Sequence, residues 1–477
     1  MAGKTIRTIR HLFFIKCLHF DNLSIMIRAF TRISLTQGAS MGEPNRRDFF
    51  AQTGAGIVGT ATLAATTYAN VQGANDRVHV GIVGPGGMGL QHIRTLGAQK
   101  DVRIAQLCDP DRQRLAAGVN AAAQDGQEPT TATDMRRVYD NRDIHAVFIA
   151  TPDHWHAPAT LLALEAGKHV YVEKPCSHNI REGRLMADAA RAQRKIVQVG
   201  TQSRSSEHVM AAMQMIREGA IGEVLSVRVW NSQLRRNIGR LRPSDPPEHV
   251  DYDTWVGPAP MAPHQTNRLH GVWRWWFNFG TGDMGNEGVH DLDIGRWGLG
   301  VDSHPSMVTA LGGKYFFDDD QEFPDTQTVI FEWPAAGDKG RKKQLIFEQR
   351  TWTPYKMEGY ENGDAFYGTR GMMILGKEAG WRLYGERNKE LKSMQGRPNL
   401  LAHQRNFFDC IRSGNRPNAD IEIGHLSASL CHLGNIATRV RRVIHFDPRT
   451  EEIHNDKQAS PMVWREYREH WARPRGV

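Results

Sequence analysis

The chain has 477 residues, long enough for two or three domains, and its 40% hydrophobic and 23% charged residues form an ordinary globular mixture. These fractions exclude a collagen, a coiled coil and a wholly disordered chain. The net charge of +8 is concentrated at the N-terminus, where residues 1–69 carry eight Lys and Arg against three acidic side chains. The remainder carries only +3, with both signs interspersed, so it does not indicate a nucleic-acid interface.

The N-terminal segment has the features of a twin-arginine export signal. Arg46 and Arg47 precede residues 51–69, an uncharged stretch rich in Ala, Gly and Thr. Because such signals stand close to the start codon, we expect Met41 to be the true start and residues 41–69 to be the signal. Residues 1–40 are then an upstream extension outside the working protein. The alternative is a chance Arg-Arg pair before a flexible linker.

This signal predicts export to the periplasm. Elsewhere, no apolar run approaches 18 residues, so no transmembrane helix is expected. The cysteines stand far apart without C-x-x-C spacing, which favours buried, reduced thiols over a disulfide framework. They are Cys17, Cys108, Cys176, Cys410 and Cys431.

A glycine-rich loop follows the first predicted strand. The strand covers residues 77–83, the loop Gly-Pro-Gly-Gly-Met-Gly covers 84–89, and a helix is predicted at 90–96. This is G-x-G-x-x-G in the context that dinucleotide binding requires, with a strand before it and a helix after it. The alternative is a glycine-rich turn in an unrelated α/β fold.

Each glycine of this loop has a predicted task. Gly84 permits the tight turn, Gly86 lets the backbone approach a pyrophosphate, and Gly89 lets the helix pack close to the strand. Gly87 and Met88 complete the loop at the helix N-terminus, where free N–H groups favour phosphates. We therefore expect these five residues to bind the cofactor.

An acidic residue ends the second predicted strand, at residues 102–107. Asp109 lies 20 residues after Gly89, where a carboxylate accepts hydrogen bonds from the adenosine ribose hydroxyls. It repels a 2′-phosphate, so the sequence predicts NAD. NADP stays open as an alternative because Arg112 is near.

Strands and helices continue to alternate up to residue 202. This pattern predicts a Rossmann domain at 77–202, a doubly wound parallel sheet that binds ligands at the carboxyl ends of its strands. The further strands are predicted at 144–150, 169–172 and 196–199, and the helices at 157–166 and 182–194. The candidate cofactor contacts at these ends are Thr151, Pro152, His156, Glu173, Lys174 and Gln202. His154 and His156 match no zinc template, so no metal site is predicted.

Lys174 follows a predicted buried strand and precedes a proline. A lysine beside a cofactor can hydrogen-bond a substrate hydroxyl or accept its proton. From position alone, a surface lysine is an equally good interpretation.

Here the chain resembles a known family. The glycine loop and the Glu-Lys-Pro tripeptide at 173–175 are similar to those of the glucose–fructose oxidoreductase, inositol dehydrogenase and rhizopine-catabolism (Gfo/Idh/MocA) family. The resemblance continues through Tyr-Asp-Thr-Trp-Val-Gly-Pro at 252–258 and Gly-Val-His-Asp-Leu-Asp at 288–293, and it covers about residues 77–445.

The resemblance implies catalytic roles for two side chains. It assigns Lys174 as a substrate-contacting catalytic residue and His290 as the proton acceptor. It also implies a sugar or polyol hydroxyl that loses its proton to one of them while the carbinol hydride moves to nicotinamide. The family usually has an aspartate four residues before this histidine, but this chain has Asn286.

An asparagine can hold the imidazole but supplies no negative charge, which puts the usual proton relay in doubt. The acidic residues that could compensate are Asp283, Glu287, Asp291 and Asp293.

Residues 203–445 predict an α+β domain with a mostly antiparallel open sheet. Its strands are predicted at 224–230, 306–311, 326–333, 344–351 and 372–375, and its helices at 208–217, 401–411 and 423–440. The resemblance implies that the open face of this sheet packs against another subunit, so a dimer or tetramer is expected. Residues 446–477 are predicted to be a tail docked on the body.

Two features allow more than one interpretation. Arg204, together with Gln202, belongs either near the cofactor and substrate or in a loop salt bridge. The aromatic run at 273–277 either stacks on a sugar ring or packs in a core.

Three functions remain open. The leading one is an NAD(P)-dependent dehydrogenase acting on CH–OH groups of a sugar or polyol. The others are an NAD-dependent glycoside hydrolase and a non-catalytic sugar-binding relative. The Glu-Lys-Pro tripeptide, which the hydrolase branch lacks, favours the first.

Overall fold

The computed structural model describes residues 77–335 and 340–476. The predicted export signal, its start at Met41 and Cys17 lie outside these residues. The four described cysteines are unpaired and buried, as expected. Within the same two ranges, none of the helices combines the length and the hydropathy needed to cross a lipid bilayer.

The first sheet is parallel throughout and has the order β3-β2-β1-β4-β5-β6. The strand order therefore reverses between β1 and β4, which is where a doubly wound sheet binds its ligand. The strands are β1 Val78–Val83, β2 Val102–Cys108, β3 Thr130–Ala132, β4 Ala146–Ile149, β5 His169–Val172 and β6 Val197–Val199. The predicted Rossmann sheet is confirmed, and β3 is an addition to it.

Helices follow these strands. Polar side chains cap two of them, since Asp111 accepts the Gln113 backbone N–H and Asn179 accepts that of Glu182. The helices are α1 Gly87–Gly97, α2 Arg112–Ala123, α3 Arg136–Asp140, α4 Asp153–Glu165 and α5 Ile180–Ala192. The sequence prediction lacked α2 and α3, which are short of large apolar residues at helical spacing.

The second sheet has ten strands in the order β14-β13-β12-β11-β7-β10-β9-β8-β15-β16. Only the β7–β10 pair is parallel, so the mostly antiparallel sheet is confirmed. The strands are β7 Val224–Ser232, β8 Met307–Gly313, β9 Thr326–Trp333, β10 Lys343–Arg350, β11 Asn362–Gly368, β12 Met372–Gly376, β13 Gly380–Tyr384, β14 Glu390–Gln395, β15 Ile444–Asp447 and β16 Glu452–Ile453.

Five strands of this sheet escaped prediction, among them the short β15 and β16 at one end of the sheet. β11 and β13 begin with Asn-Gly and Gly, which read as turns, and β14 is an exposed edge strand without an apolar alternation. Their pairing with neighbours, rather than their own pattern, makes them strands.

The remaining helices are α6 Glu207–Arg217, α7 Tyr252–Val256, α8 Val289–Leu299, α9 Leu400–Ser413 and α10 Ile421–Val440. Of these, α6, α8 and α10 pack against the second sheet, whereas α9 packs Phe407 and Phe408 into the core of the first sheet and α7 belongs to a separate aromatic cluster. Buried Phe331, Phe347 and Phe366 of the sheet pack with Leu292 of α8 and Leu433 of α10 in one apolar core. This packing fixes α8, the helix that carries His290.

The last residues of the chain contact the first sheet's helices. The Tyr467 hydroxyl donates to Glu182 at 2.7 Å, and Arg465 donates to the Asn278 carbonyl at 3.0 Å. The rings of Trp471 and Trp155 lie 5.9 Å apart. These contacts bury polar and aromatic groups of the tail against the body.

Candidate active site

A cavity of about 290 Å³ opens at the carboxyl edge of the first sheet. It lies where the strand order reverses, between the ends of β1 and β4. The predicted site residues that line it are Gly84, Gly86, Gly87, Met88, Asp109, Thr151, Pro152, His156, Glu173, Lys174 and Asn286. Three others do not line it: Gly89, Gln202 and His290.

The glycine loop is shaped by close packing on one side and open space on the other. Gly84 has φ +88°, and a Cβ on Gly89 would lie 2.1 Å from the Gly84 carbonyl oxygen. A Cβ on Gly87 would meet nothing within 4 Å. The first turn of α1 has no side-chain cap, so its N–H groups are free for an anion. These features fit a dinucleotide pyrophosphate.

Asp109 stands at the far end of the cavity beside Arg114. Burial raises the pKa of Asp109 to about 7, against the hydrogen bond that its carboxylate accepts from the Asp111 backbone. Arg114 reaches toward the glycine loop and donates to His270 at 3.0 Å. The sequence analysis singled out Arg112 as the nearby base, but Arg112 donates to the Glu248 carbonyl and does not line the cavity.

Polar groups from β4 and its loop complete the cofactor side. The Thr151 hydroxyl is buried and has no hydrogen-bond partner among the described residues, so it is available to a ligand. The two ring nitrogens of His156 lie 2.9 Å from the Thr151 carbonyl and 2.6 Å from the Pro175 carbonyl. Together with the glycine loop, this lining fits a bound dinucleotide.

Lys174 joins the two halves of the site. It follows β5, and its ammonium donates a hydrogen bond to the backbone carbonyl of Asn286, just before α8. Its neighbour Glu173 is buried and lies 2.9 Å from His92 and 3.3 Å from Gln202. Gln202 therefore donates a hydrogen bond to Glu173 and does not line the cavity.

His290 lies within electrostatic range of Lys174. Burial and then the Lys174 charge lower the pKa of His290 to about 3, and the Glu287 carboxylate opposes them. His290 is therefore neutral at pH 7, the state in which an imidazole can accept a proton. The structure thus brings together the amine and the imidazole that the sequence placed 116 positions apart.

The four acidic residues considered as substitutes for the missing aspartate differ in their partners. Asp283 accepts from Asn231 and Asn286 and lies 3.0 Å from Arg235. Asp291 pairs with Lys377 at 2.7 Å, and Asp293 pairs with Arg204 at 2.7 Å. Of these four, Glu287 is the carboxylate whose charge favours the protonated form of His290, and Glu173 adds a smaller contribution of the same sign.

Glu287 is held in place by several cations. Lys377 lies 3.1 Å and Arg235 lies 3.6 Å from its carboxylate. Burial opposes ionisation, but the Lys377 charge and then those of His290, Lys174 and Arg235 lower the pKa of Glu287 to about 2. Glu287 belongs to a π-helical turn, Met284–Gly288, a feature that often marks functional sites.

Sequence reasoning missed Arg114, Arg274 and Lys377. Arg274 lines the cavity, and Lys377 is a buried lysine that reaches α8 from the turn between β12 and β13. Arg274 lies inside the aromatic run at 273–277, but no motif points to the arginine itself or to the other two, so only their positions in space identify them.

The two ambiguous features are resolved by their contacts. Arg204 forms the buried salt bridge with Asp293, not a contact in the cavity wall. Trp275 and Trp276 belong to a buried aromatic cluster, whereas Trp273 lines the cavity.

A parallel Rossmann sheet, an open antiparallel sheet and a lysine beside the dinucleotide cavity define a two-domain, dinucleotide-binding class of protein. Two family profiles agree with this architecture. Residues 78–201 match the oxidoreductase family's NAD-binding Rossmann fold. Residues 214–320 and 385–473 match the same family's C-terminal alpha/beta domain. The chain belongs to the Gfo/Idh/MocA oxidoreductase family.

Curated relatives match about a third of the chain. A levoglucosan dehydrogenase from Pseudarthrobacter phenanthrenivorans is 36% identical over 156 residues, which are 32% of this chain and 40% of that protein. A glycosyl hydrolase family 109 protein from a Shewanella species is 29% identical over 204 residues, covering 38% of this chain and 44% of that protein. The alignments thus span less than half the length of these relatives.

Solved structures show the same fold over a longer range. A levoglucosan dehydrogenase in complex with NADH and levoglucosan has a TM-score of 0.59 at 20% identity, covering 78% of this chain and 99% of that one. An NAD binding oxidoreductase from Klebsiella pneumoniae also has a TM-score of 0.59 at 20% identity, with 77% and 98% covered.

Proposed function

We propose that the protein is an NAD-dependent oxidoreductase that transfers a hydride between a sugar or polyol carbinol carbon and nicotinamide. The observation that carries this proposal is the position of Lys174 in the wall of the dinucleotide cavity, within electrostatic range of His290. The levoglucosan dehydrogenase similarity supports a carbohydrate substrate.

The chain's own residues supply position and proton transfer. The Lys174 ammonium donates to the substrate hydroxyl oxygen and orients it, while the neutral His290 imidazole accepts the hydroxyl proton. Glu287 stabilises the imidazolium that forms, the task that the family's usual aspartate would perform. When bound, NAD supplies the hydride acceptor at its nicotinamide ring.

A carbohydrate panel tests this function. Sugars, polyols and levoglucosan are incubated with the purified protein and either NAD or NADP, and reduced nicotinamide is followed by absorbance. We expect reduction of NAD with at least one carbohydrate. Failure with every carbohydrate and both cofactors, by protein that binds NAD, would favour a non-catalytic sugar-binding protein.

A glycoside hydrolase is the second candidate, because glycosyl hydrolase family 109 proteins are among the relatives that the chain resembles. The Glu-Lys-Pro tripeptide argues for net oxidoreduction instead. The two functions differ in products: a hydrolase releases free sugar from aryl glycosides without net NADH formation. Such release, at a rate above any NADH formation, would replace our proposal with hydrolysis.

The cofactor site predicts a pH-dependent affinity. Because the pKa of Asp109 is about 7 and ribose hydroxyls bind the carboxylate form, NAD affinity should fall as the pH decreases below 7. The expected loss approaches about tenfold per pH unit for one proton taken up. Fluorescence titration of NAD between pH 5.5 and 8.5 measures it.

Asp109→Asn is the matched variant for this measurement, since it keeps the shape and removes the titrating charge. Its NAD affinity should be weaker than the parent's at pH 8 and nearly independent of pH. An unchanged pH profile in the variant would show that Asp109 does not contact the cofactor.

We further propose that the protein is exported by the twin-arginine route from a start at Met41. Support comes from the Arg46-Arg47 pair and the uncharged stretch behind it. N-terminal sequencing of the native, secreted product tests this proposal. Peptides from residues 1–40, or retention of the protein in the cytoplasm, would contradict it.

We also propose a homo-oligomer, either a dimer or a tetramer. An exposed apolar patch near one end of the second sheet supports this, since Phe316 stacks on Trp352 and both Leu311 and Tyr315 are more than 70% exposed. Light scattering should give a multiple of the monomer mass. Phe316→Glu should shift the protein toward monomer, whereas Met261→Glu, outside the patch, should not.

A further inference from the structure

A second cavity adjoins the dinucleotide cavity. It has a volume of about 330 Å³ and shares Gly271 and Arg274 with the first one. Its charged lining residues are three arginines, and no carboxylate lines it. These arginines are Arg235, Arg236 and Arg274, and Asn267 and Trp275 line the cavity beside them.

Arg274 stands at the junction of the two cavities without a partner. Its Nε is buried and unpaired, and within residues 77–335 and 340–476 its guanidinium makes no hydrogen bond or ion pair. The guanidinium lies 5.4 Å from the centre of the Trp273 ring. A buried polar group without a partner is costly, which indicates that a ligand completes this site.

The acidic groups nearest to Arg274 are already engaged elsewhere. Asp153, Asp283 and Glu287 each act on it electrostatically. Asp153 accepts the Thr281 hydroxyl at 2.6 Å, Asp283 pairs with Arg235, and Glu287 pairs with Lys377. None of these carboxylates forms a hydrogen bond or salt bridge with Arg274 among the described residues, so its guanidinium, which lines both cavities, keeps its hydrogen-bonding capacity for a ligand.

Arg274 also lies close to the reacting end of the site. Asp153, Lys174 and Arg274 all line the dinucleotide cavity, and Asp153 interacts electrostatically with both cations. Arg236 adds a second cation on the outer side of the second cavity, where it is exposed. A substrate whose hydroxyl contacts Lys174 would thus extend toward two arginines.

We propose that the second cavity is a subsite for a carboxylate group of the substrate, which makes the preferred substrate an acidic sugar such as a uronic acid. This inference rests on the proposed oxidoreductase function. A planar guanidinium matches a carboxylate in two parallel hydrogen bonds, and a buried one gains most from such a pair. Arg274 is the principal ligand, Arg236 adds charge, and Arg235 is held by Asp283.

Matched sugar pairs test the subsite. Glucose with glucuronate and galactose with galacturonate are compared as substrates, with NAD, in the parent and in Arg274→Gln. We expect the parent to prefer the acidic member of a pair in kcat/KM. The acidic-to-neutral ratio should fall about 10- to 100-fold in the variant, the effect of one charged hydrogen-bonded pair.

Two further variants serve as checks. Arg236→Gln, at an exposed position where folding is not at risk, should lower the same ratio by a smaller factor. Arg240→Gln removes an exposed arginine that pairs with Asp318 outside both cavities, and it should leave the ratio unchanged. Thermal melting of each variant confirms that it folds.

The other outcomes are separable. Equal kcat/KM for acidic and neutral sugars in the parent would overturn the subsite while the oxidoreductase function stands. A loss of NAD affinity in Arg274→Gln, with an unchanged ratio, would assign Arg274 to the cofactor and also overturn it.

Absence of turnover with any sugar would contradict the proposed function instead. In that case calorimetric binding of glucuronate and glucose to the NAD-loaded protein still decides the subsite. Selective binding of glucuronate that Arg274→Gln abolishes would support it, and no such selectivity would overturn it.

Discussion

Two clusters of partly or fully buried side chains in this protein contain histidine, glutamate and a cation, but their hydrogen bonding differs. In the first, Lys174, Glu287 and His290 lie beside the dinucleotide cavity, and His290 makes no hydrogen bond through its ring among the described residues. In the second, His304 and His425 both contact one oxygen of Glu451, at 3.0 and 2.9 Å. The first cluster has a group left for substrate, whereas the second is satisfied by its own members.

The second cluster ties separate parts of the chain together. Arg184 on α5 lies 2.7 Å from the same Glu451 oxygen, and His425 belongs to α10. His304, His425 and Glu451 are close enough together to be candidate metal ligands. Here the Arg184 guanidinium supplies the positive charge that a bound metal ion would otherwise bring to them. Residue type alone therefore does not distinguish a candidate reactive site from a structural one. The two clusters are distinguished by whether hydrogen-bonding groups remain unpaired beside a cavity.

The largest expected effect comes from Lys174→Met. Loss of the group proposed to contact the substrate hydroxyl should lower kcat/KM by about 10²- to 10⁴-fold. The melting temperature should change little because the amine has few packing contacts to lose. Steady-state kinetics on the best carbohydrate and thermal melting measure the two effects.

Lys342→Met is the control for this substitution. Lys342 is exposed and pairs with Glu332, far from the cavity lining, so its loss should leave kcat/KM unchanged. Parent-like kinetics in Lys174→Met would remove Lys174 from the mechanism.

Glu451→Gln should lower the stability of the protein and leave its catalytic rate unchanged, the reverse of Lys174→Met. It leaves Arg184 and two histidines without their shared anion, which should lower the free energy of unfolding by about 1.5–3 kcal/mol. The kcat of the folded variant should equal the parent's. Urea unfolding and active-site kinetics measure the two quantities, and a loss of kcat without a loss of stability would reverse the assignment.

This stabilisation should depend on pH. Burial raises the pKa of Glu451, but hydrogen bonds from His304, His425 and Arg184 outweigh it and hold the pKa well below the ordinary value. The contribution is therefore present above the unfolded pKa of about 4.3 and is lost as the pH falls toward the native pKa. The stability difference between parent and Glu451→Gln should shrink between pH 5 and pH 3.

The smallest of these effects is expected for Lys377→Met. Lys377 positions Glu287 beside His290, so its loss should lower kcat/KM about 10-fold through misplacement. Because the Lys377 charge lowers the pKa of His290, the acidic limb of the kcat/KM profile should move to higher pH. The pH profile measures this shift.

Lys377→Arg keeps the charge and should return the acidic limb toward the parent's position. If Lys377→Met lowers kcat/KM but leaves the acidic limb of its pH profile at the parent's position, Lys377 only supports the fold.

The sequence was a good guide where local pattern and function coincide. The strand, glycine loop, helix and Asp109 follow one another within about 30 positions, so their geometry is fixed by local backbone rules. β11 and β14 were missed because an edge or a turn-like strand is stabilised by its neighbours.

The candidate site divides in the same way. Lys174 and Asn286 were found from motifs, and the structure joins them by a hydrogen bond. The sequence could not choose among four acidic residues, because the choice depends on which carboxylate other cations already occupy. Arg114 could not be told from Arg112 either, because which of them reaches the cavity depends on how α2 packs against the glycine loop.

The sequence by itself determined the family, the Rossmann sheet and the dinucleotide loop, and it proposed two catalytic side chains, since each follows from a short motif with a local physical cause. Only the tertiary structure decided which carboxylate supports His290, which arginine remains unpaired and which histidines are structural. These properties arise from competition among side chains that are distant in sequence for the same hydrogen bonds and charges, and that competition is settled only when the chain is folded.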